Sequence, residues 1–248
     1  MNKLHENRIG ETHINNNGDK LTIVNYKGNS RYLIKFDDNT EINGVRYDHI
    51  KSGNVKNPNA PIVYGIGYSS VGKYSQKEHR SAYRKWQGML ERCYSEKYHI
   101  KKPTYIGCSV SKDWFNFQVF ADWFYDETNG YKEGYQLDKD ILIKGNKIYS
   151  PETCCFVPQE INTLLVKGDS KRGNLPIGVR KNHNGFQARL SINGNLKNMG
   201  TYSTQEEAFS VYKKEKEFYI KNLADEIKNN ITPKVYDALI NYIVEITD

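Results

Sequence analysis

The chain has little of what staples or anchors a protein. In 248 residues there are four cysteines, Cys93, Cys108, Cys154 and Cys155. No two form a C-x-x-C pair and two are adjacent, so neither a disulfide framework nor an ordinary zinc module is indicated. Adjacent strand residues point opposite ways, so at most one of Cys154 and Cys155 can join Cys93 and Cys108 in one place. Two readings remain: a zinc site completed by His99, or buried small thiols. A run of about eighteen apolar residues, which a membrane span requires, is missing. The opening MNKLHENRIGETHINNNG has no apolar signal core either. These gaps predict a cytoplasmic protein with no membrane partner. The last scarcity is of acid: residues 171–198 hold six Lys or Arg and no Asp or Glu.

Across the whole chain 36 Lys+Arg stand against 29 Asp+Glu, a net charge of +7, and there are 19 tyrosines. Most of that excess therefore falls on one short stretch. A basic surface interleaved with tyrosine suits a partner that carries phosphate.

The texture changes several times along the chain, which predicts several small domains. Residues 1–60 alternate apolar and polar in Leu21–Tyr26, Arg31–Phe36 and Thr40–Ile42, separated by turn residues. This predicts a small N-terminal β module, SH3-like and barrel-like. Residues 61–77, rich in Gly and Ser, read as a linker or long loop, and Val63–Gly67 lacks the flanking elements of a phosphate loop. From about Glu78 a helix is predicted, with Tyr83, Trp86, Met89, Leu90 and Cys93 on an apolar stripe. Arg80, Arg84, Lys85 and Arg92 fall among its polar positions, either a solvated face or a set of phosphate contacts. A second helix, Phe115 to Asp126, presents Phe117, Phe120, Ala121 and Phe124 to a core.

Residues 135–165 carry the first candidate chemistry. A strand with Asp138 and Asp140 is followed by a Gly145-Asn146 turn, a second strand ending at Val157, a stop at Pro158, and helical spacing of Ile161, Leu164 and Leu165. With Trp86-Gln-Gly-Met-Leu-Glu-Arg-Cys93 and Gly107-Cys-Ser-Val-Ser-Lys-Asp-Trp114, this ββα stretch resembles the HNH-type nucleases common in bacteriophage genomes. In that family an acid or amide precedes the catalytic histidine, and Pro-Glu-Asn introduces the second strand. Here Asp138 precedes Lys139, and Pro151-Glu152 precedes Thr153. The resemblance thus implies a degenerate catalytic site at Asp138, Lys139 and Asp140, with Asp138 as the metal position if the site is active. An ammonium between two carboxylates is held protonated and makes a poor general base. In an extended segment Asp138 and Asp140 share a face opposite Lys139, so they retain some capacity for Mg²⁺ or Mn²⁺.

After a polar linker at 167–174 come three short strands, Leu175–Lys181, Phe186–Ile192 and Leu196–Tyr202. A helix follows, opened by the capping box of Thr204 and Glu207. Gly178-Val-Arg180, Phe186-Gln-Ala-Arg-Leu190, Met199-Gly-Thr-Tyr202, Glu206-Glu-Ala208 and Tyr212 are similar to the Apetala-type (ethylene-response-factor) DNA-binding domain. In that family the sheet enters the major groove and the helix packs behind. Phe186 stands where the family has tryptophan, and Arg189 and Ser191 also depart from its pattern, so base preference does not transfer. Alternation independently places Phe186, Ala188 and Leu190 toward the helix and Gln187, Arg189 and Ser191 outward. The expected DNA-binding set is Lys171, Arg172, Arg180, Lys181, Asn184, Gln187, Arg189, Lys197 and Asn198. Thr232 and Pro233 then start a last helix, which packs back on the preceding one or makes a dimer contact.

The expectation is an α+β, multi-domain chain: a β module (1–60), a linker (61–77), a degenerate HNH-like domain (78–166), a linker (167–174) and an Apetala-like domain with a C-terminal helix (175–248). Its function is expected to be sequence-directed binding of double-stranded DNA, of phage or mobile-element type, in the cytoplasm of a bacterial host, with no cofactor and no nuclease activity. The alternatives are an HNH homing or nicking endonuclease using Mg²⁺ or Mn²⁺, and a phage effector that inhibits a host protein. A homodimer is compatible with all three.

Overall fold

Alternating apolar residues in 20–36 generate the first sheet. The computed structural model describes residues 7–165, 174–192, 194–246 and 248, with α+β architecture. Strands β1 (Thr12–Ile14), β2 (Lys20–Gly28), β3 (Arg31–Phe36) and β4 (Glu41–Arg46) form an antiparallel sheet in the order β1-β2-β3-β4. Leu21 opposes Phe36 and Ile23 opposes Ile34, so these four residues share one face and form a core with Tyr32, Ile50 and Val55. Among the described residues no ladder joins β1 to β4, so the module is an open meander and not a closed barrel. Helix α1 (Tyr47–Lys51) contributes Ile50 to that core.

The chain folds into two compact units. The first comprises Met1–Thr104 and Lys112–Ala121; the second, Tyr105–Ser111 and Asp122–Asp248. In the first unit, helix α2 (Arg80–Tyr94) buries Ala82, Trp86, Met89, Leu90 and Cys93. The Trp86 indole N–H donates to the Trp114 carbonyl at 2.7 Å. A short helix α3 (Glu96–Lys101) follows, and helix α4 (Phe117–Tyr125) begins in this unit.

The segment expected as a linker is a packed loop. Gln118 accepts the Tyr74 N–H at 2.9 Å and donates to the Ser69 and Tyr74 carbonyls, both at 2.9 Å. A Cβ on Gly67 would lie 2.4 Å from Leu90 Cδ1, so the loop backbone lies against α2.

In the second unit, β5 (Ser109–Val110) pairs in parallel with β7 (Ile148–Tyr149), and β6 (Gln136–Asp138) pairs antiparallel with β8 (Cys155–Val157). Pro158 ends β8 and α5 (Gln159–Leu164) follows, completing a ββα arrangement. Strands β9 (Val179–Asn182), β10 (Gly185–Ile192) and β11 (Asn195–Tyr202) form a sheet in the order β11-β10-β9. Helix α6 (Gln205–Glu226) has the expected capping box, and α7 (Pro233–Ile240) has Pro233 at its start.

Helix α6, about 33 Å long at 1.5 Å per residue, serves two cores. Its first half, through Ala208 and Tyr212, covers the sheet residues Val179, Ala188 and Leu190. Its second half, through Ile220, Leu223 and Ala224, packs with Val235 and Leu239 of α7 and with Ile141, Cys155, Val157 and Ile161 of the ββα region. The last helix therefore packs back on its predecessor. Among the described residues no helix is long and apolar enough to cross a membrane.

Candidate nucleic-acid interface and the acidic ββα loop

Strand register decides which charges of the C-terminal sheet face outward. Val179 opposes Ala188, and both are buried against α6. Arg180 is the partner of Gln187, and Gln187 is the partner of Thr201 on its other side, so these three form one row across the sheet. Arg189 opposes Asn198, and Ser191 opposes Leu196. Directly opposed residues share a face, so Arg180, Gln187, Arg189, Ser191, Asn198 and Thr201 lie opposite the helix.

A bulge corrects the simple alternation. Between Gln187 and Arg189 the partner on β11 jumps from Thr201 to Asn198, leaving Met199 and Gly200 opposite Ala188. One extra residue exchanges the faces of everything beyond it. Asn198 therefore turns outward, and Lys197, the partner of Leu190, turns to the helix side. There the Lys197 ammonium donates to the Glu215 carboxylate of α6. Lys181 opposes Phe186 and shares its face, away from the outward set. The expected reading surface includes both lysines; period-two geometry removes them from it.

Asn184 lies exposed in the β9–β10 turn, where its N–H donates to Asn182 Oδ1 at 3.0 Å. Lys171 and Arg172 lie outside the described residues. Among the described residues Arg180, Lys181 and Arg189 form no ion pair. The outward face thus offers two guanidiniums, the Gln187 and Asn198 amides and two hydroxyls, with no carboxylate in its rows. Thr201 is the member sequence reasoning missed, because only the register reveals it.

Gly178 shows how closely this sheet meets α6. Its φ is +74°, and a Cβ there would fall 2.0 Å from Tyr212 Cδ2. Its carbonyl accepts the Arg189 N–H at 2.8 Å, which fixes the backbone under one of the two outward guanidiniums.

The acidic loop departs from its expected form. Strand β6 ends at Asp138, and the chain then turns back on that side chain: Asp138 Oδ1 accepts the N–H groups of Asp140 at 2.8 Å and Ile141 at 2.9 Å. This local turn replaces the extended strand expected through Asp140. The buried Lys139 ammonium donates to Asp140 Oδ2 at 3.2 Å and lies 5.9 Å from the Tyr149 ring centre. Burial, then the neighbouring Asp140 charge, pushes the Asp138 carboxyl up to about 6. Burial is the largest influence on Lys139 and opposes its charge, but the charge and hydrogen bond of Asp140 together with the neighbouring Cys108 and Asp138 outweigh it, and the ammonium is held above its ordinary value.

The rest of the loop is tied down by side chains. Asn146 Nδ2 donates to the carbonyls of Lys139 at 2.7 Å and Ile148 at 2.6 Å. Thr153 donates its hydroxyl to the Ile148 carbonyl at 2.7 Å. All four cysteines are buried, and burial pushes the Cys154 thiol up to about 12. His99 Nε2 is engaged with the Arg92 carbonyl at 2.8 Å. No group of three His, Cys, Asp or Glu among the described residues is placed to hold a metal, so the zinc reading finds no assembled site. A hard divalent cation takes about six oxygen ligands. Here Asp140 Oδ2 holds the Lys139 ammonium and Asp138 Oδ1 accepts two backbone N–H groups, so one oxygen of each carboxylate is engaged within the chain.

Comparison with protein-family models, with curated proteins and with solved structures returns no match to this chain.

Proposed function

We propose that this protein binds double-stranded DNA in a sequence-directed manner through the outward face of β9, β10 and β11. The observation that carries the reading is the pair of rows Arg180–Gln187–Thr201 and Arg189–Asn198, neither of which contains a carboxylate. Guanidiniums match guanine edges or phosphates, and Gln and Asn amides match adenine edges. A sheet held from behind by α6 presents them in fixed register, which direct readout needs. The bacteriophage or mobile-element setting in a bacterial cytoplasm, implied by the two resemblances, belongs to the same proposal.

In this reading the ββα loop is a scaffold without hydrolytic chemistry. Lys139 stands where a neutral base is required, and its ammonium takes the place of a cation beside Asp140.

Fluorescence anisotropy with a labelled duplex tests the binding claim. The association constant should fall with salt, each phosphate contact contributing a slope of about −0.9 in log K against log salt. Substituting Arg180 and Arg189 should weaken binding and flatten sequence preference. An affinity indifferent to salt refutes the proposal. Plasmid nicking with Mg²⁺ or Mn²⁺ that is present in the intact chain and lost in Asp138→Ala would overturn the non-catalytic reading.

A further inference from the structure

The first unit carries a basic cleft that the proposed sheet interface does not use. At the start of α2, Gln76, Lys77, Arg80, Tyr83, Arg84 and Gln87 line a cleft of about 480 Å³. Arg80, Tyr83, Arg84 and Gln87 recur at helical spacing, so one face of α2 forms a wall of the cleft, and the opposite stripe is buried. Three cations and two carboxamides converge there, and no carboxylate lines it. The nearby Glu78 is engaged with the Ser75 hydroxyl at 2.9 Å. Lys77, Arg80 and Arg84 form no ion pair with any described residue.

This arrangement is unfavourable for the isolated fold. Arg80 and Arg84 are like charges at i, i+4, and they stand at the positive end of a 15-residue helix whose first turn holds no acid and whose N-cap side chain makes no capping bond. A local rule broken without internal compensation marks a place where an external group supplies the missing charge. The missing group is an anion with several acceptor oxygens, matched to guanidinium and amide donors.

We infer that this cleft binds the phosphate backbone of a nucleic acid strand, Lys77, Arg80 and Arg84 each neutralising one phosphate, as a contact separate from the C-terminal sheet. The Tyr83 ring, edge-on to Phe117 with centroids 5.2 Å apart, forms a firm wall beside the cations. The cleft reads no bases, so its contribution is sequence-independent.

The test uses the full chain and a labelled duplex of about 20 base pairs, comparing Arg80→Gln/Arg84→Gln with the intact protein and with Arg80→Lys/Arg84→Lys. Loss of two contacts at about 0.9 each should lower the salt slope by about 1.8, so the affinity gap between the Gln pair and the intact chain shrinks roughly tenfold between about 50 and 200 mM salt. The Lys pair should keep the original slope. The Gln pair should melt no lower than the intact chain, because repulsion is removed from an exposed face. Lys77→Gln provides a second, single-contact drop of about 0.9. The same Gln pair placed in an Arg180→Gln/Arg189→Gln background should show the same drop, which separates the cleft from the sheet. An unchanged slope in the Gln pair overturns the inference even where the sheet variant abolishes binding. Stabilisation of the intact chain by inorganic phosphate, lost in the Gln pair while the duplex slope is unchanged, assigns the cleft to free phosphate and overturns the nucleic-acid assignment.

Discussion

Replacing Asp138 by Asn should stabilise the protein, and only above the pH at which that carboxyl ionises. The side chain accepts two backbone N–H groups through Oδ1, a role the Asn carbonyl oxygen reproduces. What Asn removes is a charge that burial and the adjacent Asp140 both disfavour, raising the carboxyl from 3.8 to about 6. The sign follows from proton uptake. Between about pH 4 and 6 the native state holds a proton that the unfolded chain has lost, so native stability falls as pH rises through that window. Two units of displacement correspond to at most about 3 kcal/mol, and partial exposure of the residue reduces this to about 1–2 kcal/mol. At pH 8 the Asn variant should therefore gain about 1–2 kcal/mol, or roughly 2–8 °C in melting temperature for a chain of this size. At pH 4 the two proteins should be nearly equal. Urea denaturation at both pH values gives the comparison, with unchanged m-values confirming that compactness is unaltered. A variant less stable than the intact chain at pH 8 would refute the reasoning, because it would mean that Lys139 makes the Asp138 charge favourable.

Three further outcomes are expected. Lys197→Ala should change duplex affinity by less than about twofold, since its ammonium is committed to Glu215, whereas Arg189→Ala should weaken binding to a preferred site by roughly 5- to 150-fold; equal losses in anisotropy titrations would show that the register argument fails. Gly178→Ala should cost roughly 3 kcal/mol, combining a left-handed backbone with overlap on Tyr212, and urea denaturation showing less than about 1 kcal/mol would contradict the close packing of sheet and α6. Thr204→Ala, which removes the hydroxyl that accepts the Glu207 N–H at 3.2 Å, should destabilise by about 1 kcal/mol in the same measurement.

Local periodicity made several parts of this protein legible from residue order alone. Alternation in Leu21–Tyr26 and Arg31–Phe36 predicts strands that exist, and the Trp86, Met89, Leu90, Cys93 stripe predicts a helix face that is buried. The Thr204–Glu207 capping box and Pro233 mark the starts of α6 and α7. Each of these signals acts over three or four residues, and a chain read in order contains it whole.

What the tertiary structure decided concerns register and partners distant in sequence. A single bulge opposite Ala188 exchanged the faces of Lys197 and Asn198, and Gly200 within the strand hints at a bulge without fixing the register beyond it. Glu215 became the partner of Lys197 only because α6 crosses behind β10 and β11. The loop before α2 is a packed element because Gln118, more than forty residues later, accepts and donates to its backbone. Residue order sets Lys139 between two carboxylates; the turn that closes on Asp138 leaves it with Asp140. Residue order determined the periodic elements and the basic excess, since both are local sums. The folded chain determined which of those charges meet water and which meet each other, since that depends on contacts between residues far apart in sequence.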